Sequence, residues 1–254
     1  LLKDQGKYKE AIDCFKKAVK LKPNHYTAYY NMGLTYLNLS DNKEATSAFK
    51  KAVDIQPNHT LSSNSLAEVL HLTGKTNEAI EILKKIIKIK PDFDKAYFNL
   101  ANIYNSTGKL IDSIGVFKDL LKIRPNHPEV LNQLGVVFLE MDDPEKALFY
   151  FKKASDLDGN IAEIFYNIGN AHYKKHQIKE AKSYYKKAIK IDPKFADAYN
   201  NLGNILQEQN LFNEAIDMFE KAISIKPDYA EAYYNYGIAC GKLGKEKKAK
   251  SLYL

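Results

Sequence analysis

The chain of 254 residues has no tryptophan, two cysteines and three methionines, and no apolar run of more than a few residues. A bilayer span needs about 20 consecutive apolar residues, and no stretch has the charged-then-apolar layout of a signal peptide, so the sequence offers neither. Alternation of apolar and polar residues, the mark of a half-buried strand, is missing as well. So are the common catalytic motifs. The run Gly237-Ile238-Ala239-Cys240-Gly241-Lys242 is one residue short of a phosphate loop and follows no strand. No serine-nucleophile motif or dinucleotide fingerprint occurs. His172 and His176 stand four apart, but Tyr173 takes the place where a zinc protease has its glutamate. His25, His59 and His127 are too widely spaced for ligands that must approach a metal to about 2 Å. The expectation is a protein that is not an enzyme and holds no cofactor or metal.

What the chain does contain is apolar material for a core, 45% of residues, and 27% charged residues for a hydrated surface. Its organisation follows from the prolines. Pro23, Pro57, Pro91, Pro125, Pro193 and Pro227 share a 34-residue spacing, with Gly159 in the remaining place. In the same register a small residue recurs at Gly33, Ala67, Ala101, Gly135, Gly169, Gly203 and Gly237, and alanine at Ala11, Ala45, Ala79, Ala147, Ala181, Ala215 and Ala249. Apolar residues within each unit step by three and four, as in Ala45, Phe49 and Ala52 or Ala215, Phe219 and Ala222, which is helical periodicity. Proline stops the second helix of each unit, and Gly6, Gly74, Gly108 and Gly244 mark the turn between the first helix and the second. Two helices per unit, packed closely at the small residues, are predicted.

Tyr29-Tyr30-Asn31-Met32-Gly33, then Tyr36, Ala45, Phe49, Ala52 and Pro57, resemble the tetratricopeptide repeat signature, and the resemblance extends along the whole chain. Residues 1–25 resemble the end of a repeat, 26–59, 60–93, 94–127, 128–161, 162–195 and 196–229 complete ones, and 230–254 most of another. Tryptophan, frequent in the family at the first aromatic place, is replaced by Tyr29, Tyr97, Phe165, Tyr199 and Tyr233, while Ser63 and Leu131 depart from the pattern. The resemblance implies an all-α, right-handed superhelical solenoid of helix–turn–helix repeats, one continuous array in which first helices line a concave groove and second helices form the outer wall. In such an extended rod Cys14 and Cys240 are too far apart to bridge, which fits a reducing, cytoplasmic setting.

Two patterns mark the expected groove. Asn31, Asn99, Gln133, Asn167, Asn201 and Asn235 occupy equivalent places, and Asn102, Asn170 and Asn204 add a second rung three residues on. Asparagine is a mediocre helix former, so its repetition inside helices needs a reason. A carboxamide offers donors and an acceptor to a peptide backbone whatever its side chains; alternatively it bonds neighbouring helices and sets the superhelix. Similar ladders line the grooves of the protein O-linked N-acetylglucosamine transferase and of kinesin light chains. The residue before the ladder alternates between aromatic, at Tyr30, Phe98, Tyr166 and Tyr234, and asparagine, at Asn64, Asn132 and Asn200. Those rings are candidate platforms for apolar side chains of a bound segment, or drift within a tolerant consensus.

The residue four before the ladder is Thr27, Leu61 and Lys95 early in the chain and Glu129, Glu163, Asp197 and Glu231 later, making the C-terminal groove more acidic. A ligand basic at one end suits it, although acids early in a helix also complement the helix dipole. The net charge of +7 comes with Lys16-Lys17, Lys50-Lys51, Lys84-Lys85, Lys152-Lys153 and Lys186-Lys187 on the expected outer wall, interspersed with acids, which argues against nucleic acid as partner. Chaperone-binding relatives grip a C-terminal carboxylate with Lys and Arg where this chain has Tyr30, Phe98 and Tyr166, which disfavours that ligand. Neither terminus carries a polar cap, so further chain, a partner, or end-to-end self-association through an apolar face over 230–254 is expected. The function expected is that of a scaffold or adaptor holding an extended peptide segment. The alternatives are the substrate-recruiting repeats of a longer enzyme resembling the N-acetylglucosamine transferase, and a structural rod in a large assembly.

Overall fold

The computed structural model describes residues 7–244. Gly6, Ala249 and the 245–254 part of the expected terminal apolar face lie outside them. Among the described residues there are fourteen α-helices and no strand. They are α1 Tyr8–Leu21, α2 Tyr26–Asn38, α3 Asn42–Ile55, α4 Thr60–Leu72, α5 Thr76–Ile89, α6 Asp94–Ser106 and α7 Leu110–Ile123. They continue as α8 Pro128–Glu140, α9 Pro144–Leu157, α10 Ala162–Lys174, α11 Ile178–Ile191, α12 Ala196–Glu208, α13 Phe212–Ile225 and α14 Ala230–Lys242. No helix among the described residues is long and apolar enough to cross a membrane. The fold is an all-α helical repeat. Even-numbered helices are first helices and odd-numbered ones second helices.

The turn between the two helices of a repeat is built the same way each time. Ser40, Gly74, Gly108, Asp142, His176, Asn210 and Gly244 have positive φ, from 57° to 82°. The left-handed residue turns the chain out of the first helix so that the next N–H bonds the carbonyl five residues back, as in Lys75 to Leu70 at 2.8 Å and Gln177 to His172 at 2.9 Å. Glycine fills this place at Gly74, Gly108 and Gly244; in four repeats a residue with a Cβ does. Pro128 and Pro144 sit at the N-termini of α8 and α9, where a missing N–H costs nothing.

The chain forms two compact units, Leu1–Pro125 and Asn126–Leu254. Within each, helices pack against their chain neighbours and first helices against the next first helix. One column supplies the largest fully buried side chains, Phe49, Leu83 and Phe117 in the first unit and Phe151, Tyr185 and Phe219 in the second. A small buried residue lies one turn before each, Ala45, Ala79, Ser113, Ala147, Ala181 and Ala215, and alanine follows one turn after four of them, Ala52, Ala154, Ala188 and Ala222. This close approach explains the small residue on the first helix. A Cβ at Gly135 would lie 2.4 Å from the Phe151 ring. Ser63 and Leu131, the departures from the aromatic pattern, are both buried. Beside Ser63, where a ring would stand, the first unit keeps a cavity of about 100 Å³ walled by Val53, Leu66 and Ile86.

Candidate functional site

The expected amide ladder splits into two chemical kinds. Asn64, Asn132 and Asn200, the asparagines that alternate with aromatic residues, are buried and act as receivers. Asn99 donates to Asn64 Oδ1 at 3.1 Å, Asn167 to Asn132 Oδ1 at 3.0 Å and Asn235 to Asn200 Oδ1 at 3.2 Å. Asn132 and Asn200 in turn donate to the carboxylates of Glu163 and Glu231 at 3.1 and 3.2 Å. Asn99, Asn167 and Asn235 therefore spend an N–H on the repeat before them, and Asn132 and Asn200 on the repeat after, which satisfies otherwise costly buried carboxamides. Asn31 donates to Thr27 O of its own helix at 2.9 Å. Gln133, Asn102 and Asn204 make no side-chain hydrogen bond to the described residues, and Asn102 is exposed.

Where the residue before the ladder is aromatic, the ring leans on its own second helix. Tyr30 lies 6.0 Å from Phe49, Phe98 5.6 Å from Phe117 and Tyr166 5.8 Å from Tyr185, between ring centroids. Tyr30 also meets His59 and Tyr166 meets Phe195, residues that close the same repeats, at 5.4 and 5.0 Å. The alternation thus separates repeats that bond through a buried asparagine from repeats that stack rings. Tyr30, Phe98 and Tyr166 are half-buried, whereas Tyr234 is 59% exposed. In the second unit the Tyr166 hydroxyl takes the asparagine's part, accepting from Asn201 Nδ2 at 3.2 Å.

The same Asn201 nitrogen reaches Asn170 Oδ1 at 3.0 Å, and the Tyr185 hydroxyl donates to that oxygen at 2.7 Å. Burial pushes the Tyr185 hydroxyl far above its usual value, so it stays protonated and remains a donor. Among the described residues Tyr185 occupies a column held elsewhere by Phe or Leu, and a hydroxyl in that apolar register is a signal present in the sequence. Around this network opens a cavity of about 770 Å³ in which Asn170, Asn201 and Asn204 converge with Tyr173, Lys174 and Glu208. Tyr173 donates to Glu208, and that hydrogen bond, with burial second, lifts its hydroxyl to about 12. Lys174 is held by Leu139 O at 2.8 Å and Asp142 at 2.9 Å.

A second cavity, about 690 Å³, lies at the N-terminal ends of α10 and α12. Tyr166 and Asn167 line it with Phe195 and the carboxylates of Glu163, Asp192 and Asp197. Burial raises the Tyr166 hydroxyl above its ordinary value, and Asp197 and Glu231 add to this against the bonds from Asn170 and Asn201. Burial first, and then its hydrogen bond to Asp197, raise the hydroxyl of Tyr229 as well. Of the later acids, Glu163 and Asp197 line this cavity, and Glu163 and Glu231 accept from the buried asparagines. The paired lysines lie exposed on second helices, and Lys153 and Lys187 cover the rings of Phe149 and Phe165 at 4.4 and 3.8 Å.

Among the described residues no group of three His, Cys, Asp or Glu side chains is placed to hold a metal ion. His172 contacts Gln177 Oε1 through Nδ1 at 2.7 Å and stacks on Tyr184, while His176 forms the left-handed turn. Neither cysteine is in a disulfide; Cys14 is exposed and Cys240 buried.

Family models described as TPR repeat match residues 1–40, and models described as tetratricopeptide repeat match 26–59, 70–134, 128–161, 162–195, 196–229 and 218–251. No curated protein matches the chain. Among solved structures, the MamA protein is 30% identical with a TM-score of 0.52, over 62% of this chain and 86% of that one. YrrB, described as a TPR protein with an unusual peptide-binding site, is 24% identical with a TM-score of 0.50, over 74% of this chain and 97% of that one. A tetratricopeptide repeat protein from Parabacteroides merdae is 16% identical with a TM-score of 0.69, over 90% of each chain. The last two likenesses concern the fold. With family matches running over nearly its whole length and helix pairs repeating throughout the described residues, the chain belongs to the tetratricopeptide repeat family, whose arrays serve as protein-interaction scaffolds.

Proposed function

We propose that the chain holds an extended segment of a partner protein on the first-helix face of its second unit. The observation that carries this reading is the cavity of about 770 Å³, where amides of two successive first helices, Asn170, Asn201 and Asn204, meet beside Tyr173 and Leu139. Asn170 and Asn201 are fixed by their bonds to each other, to Tyr185 and to Tyr166, so the surface is organised before a ligand arrives. Asn204 makes no side-chain bond to the described residues and supplies both donors and an acceptor for a peptide backbone. A largely apolar hollow with a few oriented polar groups suits the recognition of a peptide segment. YrrB, a protein of comparable fold, is described as having a peptide-binding site, which is in keeping with this reading.

Site-specific photo-crosslinking tests it. A photoreactive residue at Asn204 is expected to capture the partner from native extract, and one at Lys186, on the second helix, is not. Capture at Lys186 alone would move the binding surface to the lysine-bearing side. Because Asn204 holds no neighbouring helix, Asn204→Lys is expected to block the hollow and leave the melting temperature within a degree or so of the parent, as most surface substitutions do.

A further inference from the structure

The second cavity joins three acids to an aromatic pair: the preceding repeat has the acids, Glu129, Asp158 and Glu163, but Asn132 and Ile161 in place of Tyr166 and Phe195. Its wall carries Glu163, Asp192 and Asp197 and no basic residue. None of these three carboxylates takes part in an ion pair among the described residues. Glu163 and Asp197 lie in first turns, where the helix dipole favours an acid. Asp192 lies at the C-cap of α11, where the dipole disfavours one. The same place holds Lys22, Lys90, Arg124 and Lys226 in four other repeats, Gln56 in one and an acid again only at Asp158. At the equivalent aromatic Tyr30 the corresponding places hold Thr27, Gln56 and Leu61, all uncharged.

Two further observations specify the ligand. The Tyr166 and Phe195 rings, 5.0 Å apart and tilted by 55°, give the hollow an aromatic wall. Asn167 is 8% exposed, lines the same hollow and gives its N–H to Asn132. Its Oδ1 accepts no bond from the described residues and so remains an acceptor toward the cavity. Carboxylates, a spare amide oxygen and ring faces around one space call for a planar cation with several donors. An ammonium offers a compact charge, whereas a guanidinium presents five N–H groups in a plane and stacks on rings.

We propose that the cavity bounded by Tyr166, Phe195, Glu163, Asp192 and Asp197 takes an arginine side chain of the bound segment. This rests on the reading that the first-helix face holds a peptide. The ring faces stack on the guanidinium while the carboxylates and Asn167 Oδ1 accept its N–H groups.

The test uses the full chain and a display library of random dodecapeptides, with selected peptides resynthesised carrying Arg→Gln or Arg→Lys. The expected result is enrichment of arginine at one position. Its replacement by Gln weakens binding about tenfold or more, in line with the loss of charge-assisted hydrogen bonds. In the D192N/D197N variant, isosteric and checked for helical content, the same replacement should make little difference, whereas D192E/D197E, which keeps both charges, should keep the discrimination. If the selected peptides are displaced by Asn204→Lys yet show no arginine preference, or lysine serves equally, or the D192N/D197N variant discriminates fully, the arginine site is wrong while the groove reading stands. If no selected peptide responds to Asn204→Lys, the groove reading falls and this proposal with it.

Discussion

Of the seven residues with positive φ in the described turns, Ser40, Asp142, His176 and Asn210 carry a Cβ that meets the backbone in this conformation. For most side chains the left-handed region costs about 1–2 kcal/mol, and Asn and Asp tolerate it best because they hydrogen-bond locally. Part of any gain from glycine is returned through the freer unfolded chain. Ser40→Gly is therefore expected to stabilise the protein by about 0.5 kcal/mol, and Asn210→Gly by less, read as shifts of the urea midpoint at unchanged slope. His59 gives a pH-dependent case. Burial holds its imidazole below the usual value, between Tyr26 and Tyr30 at 4.9 and 5.4 Å, so folding favours the neutral ring. Its contribution is fully present above the unfolded value of about 6.5 and is lost as pH falls through the lower folded value. The urea midpoint should drop between about pH 7.5 and about pH 5, and drop less in His59→Gln. Equal drops would show that His59 does not carry the effect.

Between neighbouring first helices the buried asparagines decide whether a helix pair docks. Asn132 accepts from Asn167 and donates to the exposed Glu163, so Asn132→Ala leaves the buried Asn167 amide without its acceptor, while Glu163 is hydrated instead. The expected cost is about 1–3 kcal/mol. A double-mutant cycle with Asn167→Ala should return a coupling of about 0.5–1.5 kcal/mol, and a coupling near zero would mean the bond contributes nothing. The 34-residue register, two helices per unit and the buried faces at Phe49 or Phe219 were readable in the sequence because periodicity, proline and glycine act locally. The division of labour among the asparagines was not. Asn64, Asn132 and Asn200 stand out only as interruptions of an aromatic column, and their partners lie 35 residues away for Asn99, Asn167 and Asn235. Such a bond depends on the distance between packed helices, which no local pattern encodes. The same holds for Tyr185, whose hydroxyl orients Asn170 across 15 residues, and for Asp192, which joins Glu163 and Asp197 only once α11 has returned the chain to the start of α12.

At the scale of the molecule, an array whose helices meet mainly their chain neighbours should respond to damage repeat by repeat rather than all at once. Phe219 is fully buried near the end of the second unit and belongs to a cluster with Leu202, Ile205, Tyr236 and Ala239, while Phe151 holds the equivalent place two repeats earlier. Phe219→Ala removes a buried ring at a cost of about 3–5 kcal/mol. In a nearest-neighbour array the loss stays near its origin. Hydrogen exchange followed by mass spectrometry should show protection falling most in α12, α13 and α14, less in α10 and α11, and least in α8 and α9. Uniform loss across α8–α14 would instead mean that the second unit unfolds as one block. A graded response places the 770 Å³ cavity at risk, since Asn201, Asn204 and Glu208 sit on α12. Phe49→Ala, at the same nominal cost in the first unit, should spare every residue of that cavity, so comparing peptide binding by the two variants separates loss of the site from loss of stability elsewhere in the chain.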